Sequence, residues 1–289
     1  MTPVLFDRAL LRARLARARA AGAEDFLLTR AVEDLSERLS TIKRDFARVL
    51  DLGTPGPHLA QALAAPGRTI WRAAPSAALV GDGAFLPLVA DEEALPFAPE
   101  SFDLIVSALS FQHVNDLPGL LAQARRCLKP DGLFLAALVG GQTLSELRVA
   151  LVQAEAEISG GASPRVAPFA DVRDLGGLLQ RAGFALPVTD TDVLTVRYAN
   201  PFRLFADLRA MGATNALAAR SRKPTSRRLL MRAAEIYAEK FADSDGRLRA
   251  TFEILFMSGW APHESQQKPL KPGSARMRLE DALKASRKG

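Results

Sequence analysis

The residues in this 289-residue chain best suited to chemistry begin with the run F-A-R-V-L-D-L-G-T-P-G-P, Phe46 to Pro57. Phe46, Val49, Leu50 and Leu52 suit a buried strand, Asp51 and Gly53 fall where that strand must stop, and His58 to Ala65 reads as a helix starting just after Pro57. Strand, tight turn and helix in that order form the unit with which α/β folds bind nucleotides. Glycine lacks a Cβ, so the backbone can approach a ligand closely, and the helix N-terminus offers unpaired N–H donors. Asp51, Gly53 and Gly56 are therefore the candidate ligand-binding residues of the turn. Pro55 and Pro57 restrict it, because proline fixes φ near about −65° and has no N–H to donate. Two readings stay open: a cradle for a ligand, or a plain connection between strand and helix.

Other reactive side chains are few. His58, His113 and His263 are the three histidines, with Glu264 beside the last, and histidines with carboxylates raise the thought of an iron site. No H-x-D/E pair with a distant second histidine supports it, so no metal is expected and the histidines read as hydrogen-bonded structural residues. Cys127 is the single cysteine and lies in an apolar helical pattern. It excludes a disulfide framework and a cysteine-based metal site, and suits a reducing cytoplasm. No catalytic residue is identified by type and spacing.

The elements that must position these residues are readable in outline. With 48% hydrophobic residues the chain can bury a full core, as one large domain or one domain with an insertion. The net charge is +6, with Arg and Lys concentrated at Arg8 to Arg19, Arg220 to Arg232 and Lys268 to Lys288. Aromatic residues are not interleaved with these runs as single-strand binders require, so they read as solvated helix faces and tails, not as a nucleic-acid surface. No run of about 18 apolar residues exists, so no membrane span is expected. Two helices precede the first strand, the first of them basic and expected as a solvated arm, in peripheral contact at most.

After the opening unit the chain alternates. Thr69 to Trp71 is a short second strand, followed by Ala73, Ala74 and Pro75 where nucleoside-binding folds place an acid for the ribose hydroxyls. Losing such an acceptor costs about 1.5–3 kcal/mol unless replaced, and Asp82 is the candidate replacement. Strands follow at Phe85 to Ala90, Phe102 to Ser107 and Leu133 to Val139, with a helix capped by Asn115 or Asp116 through Leu128 and a turn at Lys129 to Gly132. The series predicts a parallel sheet with helices on both faces. Thr143 to Ile158 reads as a helix opened by a Thr143/Glu146 capping box, and Asp174 to Ala182 as one closed by Gly183. Val188 to Tyr198 and Ala250 to Ser258 are the last strands. Between them, Pro201 to Met211 and Thr225 to Phe241 are helices with Phe202, Phe205, Leu208, Leu229, Leu230, Ile236 and Tyr237 inward, forming a lid or partner surface.

The opening turn resembles the first motif of class I S-adenosylmethionine-dependent methyltransferases, D/E-x-G-x-G-x-G, with Pro55 and Pro57 where that family has its second and third glycines. The stretch D-E-E-A-L-P-F-A-P-E-S-F-D-L-I-V-S, from Asp91, and L-K-P-D-G, from Leu128, resemble the superfamily that includes the biotin-pathway malonyl-carrier-protein methyltransferases. That resemblance implies that an acid at Asp91 and Glu92 meets the adenine amino group and that Ser107 and Ala108 form the pocket wall. Within Ser110 to Asp116 this chain has Gln112 at the family's usual histidine position. The segments Gly140–Arg148, Ser163–Phe184, Asp190–Asp192, Met211–Asn215 and Gly259–Gln266 resemble one branch, the methyltransferase-like assembly factors of respiratory complex I, known as protein-arginine hydroxylases.

The resemblance implies a Rossmann-like class I methyltransferase fold: an α/β architecture with a mostly parallel seven-stranded sheet, an antiparallel last strand and a helical lid. The expected divisions are N-terminal helices at 1–45, a core at 46–200, the lid at 201–249, the last strand and C-terminal segment at 250–275 and a basic tail at 276–289. It implies S-adenosylmethionine as cofactor, weakly bound or not at all given the two prolines, and a respiratory complex I subunit as protein partner, in a bacterial cytoplasm or a mitochondrial matrix. The expected activity is methyl transfer or arginine hydroxylation; the alternative is a non-catalytic assembly chaperone with a degenerate cofactor site.

Overall fold

Every strand of the computed structural model belongs to one seven-stranded sheet, and the ends of its central strands set the position of the site. The structure describes residues 4–81 and 85–267. Asp82 and the basic tail lie outside those residues.

The chain begins with α1 (Arg8–Ala20) and α2 (Phe26–Ser40), then alternates β1 (Arg48–Leu52), α3 (His58–Ala62), β2 (Thr69–Ala74), α4 (Ala77–Val80), β3 (Leu86–Val89) and β4 (Phe102–Ala108). A 3₁₀ turn at Phe111–His113 leads to α5 (Leu117–Cys127) and β5 (Leu128–Val139). Then come α6 (Ser145–Ser159), α7 (Val172–Arg181), β6 (Ala185–Tyr198), α8 (Pro201–Ala210), α9 (Arg227–Phe241) and β7 (Leu248–Trp260). The strand order is β3-β2-β1-β4-β5-β7-β6. The first five run parallel, and β7 is antiparallel to both β5 and β6. This is the architecture expected from the sequence.

Alternation along the central strands explains why they read as continuous apolar runs. Leu50, Leu52, Ile105 and Phe134 face α5 and α7, whose Leu120, Leu121, Leu175 and Leu179 complete one core layer. Val49, Leu104, Val106 and Leu135 face the opposite layer, against Leu28, Leu35 and Leu39 of α2 and Leu59 of α3. A strand buried on both faces has no polar side to display. A third cluster joins α6, α8 and α9 to β7 through Leu147, Leu204, Ile236, Tyr237 and Phe252. Tyr237 donates its hydroxyl to the Arg249 carbonyl at 2.7 Å, tying the lid to the sheet.

The structure decides between the two candidate caps of α5 and corrects other expectations. Asp116, not Asn115, caps α5, accepting from the Gly119 N–H at 2.9 Å; Asn115 accepts from the Leu5 and Phe6 N–H groups instead. The capping box at α6 does not form. Leu144, with φ 55°, stands at the N-cap without a side-chain bond, while the Thr143 hydroxyl accepts from the Glu253 N–H at 2.9 Å and Glu146 accepts from the Thr251 N–H at 3.2 Å. Both residues serve the β7 backbone, a tertiary use that outbids the local one. Phe202 is 47% exposed, not inward, resting edge-on against Phe205. β2 extends three residues beyond Trp71, because it pairs with β3 as far as Ala74.

The first helix is not a solvated arm. Arg14 donates to the carbonyls of Thr214 and Asn215, Arg19 pairs with Asp25, and Arg8 and Arg12 reach the acids after β3. Just before it, Phe6 bridges to Leu217 and Arg220 pairs with Asp7. Helix α1 thus joins the sheet to the lid loop, where Gly212, at φ 71°, leaves room for it: a Cβ there would sit 3.0 Å from the Leu15 backbone. Among the described residues no helix is long and apolar enough to cross a membrane.

Candidate functional site

A cavity of about 110 Å³ opens where β1, β2 and β4 end. This is the carboxyl edge of the sheet, where open α/β folds bind ligands because the loops diverge there. Gly53 and Pro55 from the first turn, Pro75 and Leu79 after β2, and Glu92 after β3 form one side. Leu109, Ser110, Gln112 and His113 after β4 form the other, and Arg8, Leu11, Arg12 and Leu15 of α1 close it.

Gly53 is indispensable to this shape. Its φ is 77°, and a Cβ there would stand 2.4 Å from Ser110 Oγ and 2.7 Å from Glu92 Oε1. The backbone therefore passes directly beneath the cavity's polar side chains. Gly56 does not share that constraint: its Cβ would meet the ends of His58 and Arg19, which are side chains able to give way.

The six residues expected to bind a ligand separate into three positions. Gly53 and Glu92 line the cavity. Asp91 lies at its rim, turned toward Arg8 and Arg12, and Gly56 faces Arg19 on α1. Asp51 and Ser107 lie behind the wall, 1% and 0% exposed. Asp51 pairs with Arg72 at 3.4 Å, and the same guanidinium donates to the Gly56 carbonyl at 2.7 Å and to that of Val80. Arg72 thereby braces the proline-bearing turn from inside the fold. Burial pushes the Asp51 carboxyl up to about 6, offset only in part by Thr54 and Arg72.

Charge in the cavity is dominated by one guanidinium. Arg8 bridges Asp91 and Glu92 in short contacts and reaches Glu93 at 3.3 Å, while Ser110 Oγ donates to Glu92 at 3.1 Å. Burial of Asp91 would raise its pKa, but the Glu93 N–H and the Arg8 guanidinium outweigh it and hold the carboxyl below its usual range. His113 stands with its ring edge-on to Phe6, centroids 5.4 Å apart. Burial, with Arg8 nearby, lowers its pKa to about 4, so the imidazole is neutral at pH 7. Gln112 donates to the Leu109 carbonyl at 2.8 Å and leaves its own Oε1 unpartnered. Leu109 itself is held at φ 51°, a left-handed conformation that costs a non-glycine residue about 1 kcal/mol.

Arg8 and Arg12 were not identifiable as cavity residues from local sequence, and the Ser110 to His113 loop was marked only by the family resemblance around Gln112. Their types are ordinary, and the arginines lie in a helix whose pattern reads as a basic surface. The one signal present for the arginines was charge complementarity between Arg8 and the acid triplet Asp91, Glu92 and Glu93, more than eighty residues away in sequence. Among the described residues no group of three or more His, Cys, Asp or Glu side chains is placed to hold a metal ion. His58 lies 3.5 Å from Asp25, and His263 bonds Ser265 at 2.7 Å, so the three histidines do not converge.

The methyltransferase-domain family matches residues 24–187. The mitochondrial arginine-hydroxylase NDUFAF5 of Danio rerio is 40% identical over 267 residues, covering 90% of this chain and 83% of that protein. The malonyl-[acyl-carrier protein] O-methyltransferase of Gallionella capsiferriformans is 33% identical over 283 residues, covering 91% of this chain and 93% of the relative. Among solved structures, the YcgJ protein from Bacillus subtilis superposes with a TM-score of 0.56 at 16% identity over 80% of this chain and 99% of its own, which is a likeness of fold.

Proposed function

The chain belongs to the methyltransferase-domain proteins and, among them, to the family of the arginine-hydroxylase NDUFAF5, and from that membership we propose that it modifies an arginine of a protein partner, a respiratory complex I subunit, during assembly of that complex. One observation carries the chemistry: the carboxylates of Asp91 and Glu92 at the cavity already hold a guanidinium, that of Arg8. Paired carboxylate oxygens match the guanidinium fork, so a site built this way suits an arginine side chain. Glu92, 3% exposed and fixed by Ser110, is the anchor once the incoming guanidinium takes the place of Arg8. Neutral His113 and Gln112 with its free Oε1 complete the wall as hydrogen-bonding groups.

S-adenosylmethionine fits the cavity on one side only. Gly53 allows close approach, and the acids after β3 could accept from an adenine amino group. On the ribose side Ala74, Leu79 and Val80 form an apolar cluster against Leu15, and residues 73–81 at the end of β2 contain no acid; the other carboxylates lining the cavity, Glu24 and Asp25, come from the segment before α2, where Asp25 is paired with Arg19. When bound, the cofactor would supply an electrophilic methyl group. Hydroxylation would instead insert one oxygen atom and requires dioxygen and a reductant from outside the chain.

A second reading is favoured by the same ion pairs. With Arg8 and Arg12 neutralising the acids after β3 and no acid at the end of β2, a chaperone that holds its partner without modifying it is consistent with the geometry. Co-expression with the complex I subunits of the same organism and mass spectrometry of every arginine-containing peptide separates the outcomes. A gain of one oxygen on an arginine supports hydroxylation, and a gain of one methyl supports transfer. A stable complex with an unmodified subunit sinks the enzyme reading in favour of the chaperone. The protein would act where that subunit is assembled, in a bacterial cytoplasm or a mitochondrial matrix.

A further inference from the structure

The lid carries a charge pattern that its own fold does not use. Between residues 201 and 232 there are eight Lys or Arg against one carboxylate, Asp207, more positive charge than the +6 of the entire chain. Arg209, Arg222, Lys223, Arg227 and Arg228 are all exposed, and none forms an ion pair among the described residues. Arg227 and Arg228 occupy the first turn of α9, where the helix dipole disfavours cations and no acid is present. Stability alone would place acids there.

Arg209 lines a second cavity, of about 330 Å³, and the other four cations lie within three residues of Thr225 or Leu230, which line it too. Leu144, Leu147 and Leu151 of α6, Phe205 and Leu208 of α8 and Leu230 of α9 line it. Thr225 lines it too, and Arg165, already paired with Glu155, donates to the Thr225 hydroxyl at 3.1 Å, so the basic loop is attached at the cavity's mouth. Nearby, Phe202 and Met231 are 47% and 42% exposed. His113 lines this cavity and the first one, so an occupant here would lie beside the carboxylates described above.

We propose that the basic lid loop and the apolar cavity together form a docking site for an acidic segment of the partner protein, which inserts a leucine or phenylalanine between α6, α8 and α9 and sets carboxylates against Arg209, Arg222, Lys223, Arg227 and Arg228. The proposal rests on the reading that the protein acts on a protein partner, and it supplies that partner's chemistry. Complementary charge across such a surface governs encounter and register, and a concave apolar socket selects a side chain over a flat lipid surface.

The test uses the full chain and a labelled peptide of about twelve residues, in which Glu pairs alternate with Leu and Phe, followed by fluorescence anisotropy. The variant Arg222→Glu/Lys223→Glu/Arg227→Glu/Arg228→Glu should keep its fold, since acids suit the start of α9. A control variant, Arg17→Glu/Lys43→Glu/Arg173→Glu/Arg181→Glu, makes the same change of charge at exposed residues on other faces. The lid variant should weaken peptide binding by about tenfold or more while the control changes it less than about threefold. A peptide with Leu and Phe replaced by Ser should also bind at least about tenfold more weakly. Equal weakening by both variants, or equal binding of the Ser peptide, overturns the site. Binding to phosphatidylglycerol vesicles that is lost in the lid variant, without peptide binding, overturns it in favour of a lipid surface. None of these readings depends on cofactor or on modification, so docking can fail while the enzyme reading stands, and the reverse.

Discussion

Arg8 and Glu92 form a pair in which each partner makes the other tolerable. Glu92 is 3% exposed, and without a guanidinium its charge would face a largely apolar wall. Arg8→Ala should therefore cost about 3 kcal/mol in urea unfolding, the penalty of a buried charge left unpaired. Adding Glu92→Gln should return most of that loss, because the neutral amide can still bond Ser110; two independent losses would refute the coupling. His113 gives a pH test whose sign is fixed. Its folded pKa is lowered to about 4 from an ordinary value of 6.5, so below pH 6.5 the unfolded ring gains a proton that the folded ring refuses. Its contribution is full above that pH and lost as pH falls toward 4. Asp51 opposes it, since a carboxyl raised from 3.8 to about 6 takes up its proton first in the fold and favours the folded state as pH falls through 6. Between pH 6.5 and 4 these two contributions largely cancel in the wild type. His113→Gln should gain about 2 kcal/mol relative to wild type between pH 7 and about pH 4.5, less than the full shift because the ring borders a cavity. Urea midpoints at the two pH values measure it.

At the scale of elements, the turn between β1 and α3 is defined by what surrounds it. Arg72 donates to the Gly56 carbonyl and pairs with Asp51, so the turn is held by a buried side chain where the prolines remove N–H donors. The end of β2 shows where an acid would be useful. Ala73 packs in the core with Leu50, Leu52 and Ala90, whereas Pro75 lines the cavity. Restoring an acid at position 73 would bury it; position 75 would present it to a ligand. Pro55→Gly/Pro57→Gly/Pro75→Asp should raise the affinity for S-adenosylhomocysteine by about 10- to 100-fold in calorimetric titration. Ala73→Asp in place of Pro75→Asp should lower the thermal midpoint without that gain. If neither combination binds more tightly than wild type, the defect does not lie in these positions.

Across the whole molecule, α1 is the piece that couples the two cavities. It touches the acids after β3 through Arg8 and Arg12 and the lid loop through Arg14, and the segment before it bridges Phe6 to Leu217. Removing residues 1–20 should leave the sheet folded, because the two core layers contain little of α1, and should deprotect amides 211–220 together with those following β3 in hydrogen exchange. Deprotection of only one of the two segments would mean that α1 covers one cavity and does not link them.

Much of this architecture is legible in the chain. The parallel strands announce themselves because both faces of β1, β4 and β5 are buried, so period and burial agree, and the turn after β1 is marked by Asp51 and by Gly53, whose φ of 77° a side chain would strain. The motifs after β3 and in the lid carry the family resemblance for the same reason: they are contiguous. What contiguity could not convey is which charges meet. Arg8 and Asp91 lie 83 residues apart, Thr143 and Glu253 110 apart, and Arg14 and Thr214 200 apart. Sequence alone therefore determined the strands and helices in their order along the chain and the turn that opens onto the cavity. Only the tertiary structure decided that a basic helix closes that place, that a capping pair serves another strand and that Phe202 faces outward, because those outcomes depend on distant partners whose competition no local pattern records.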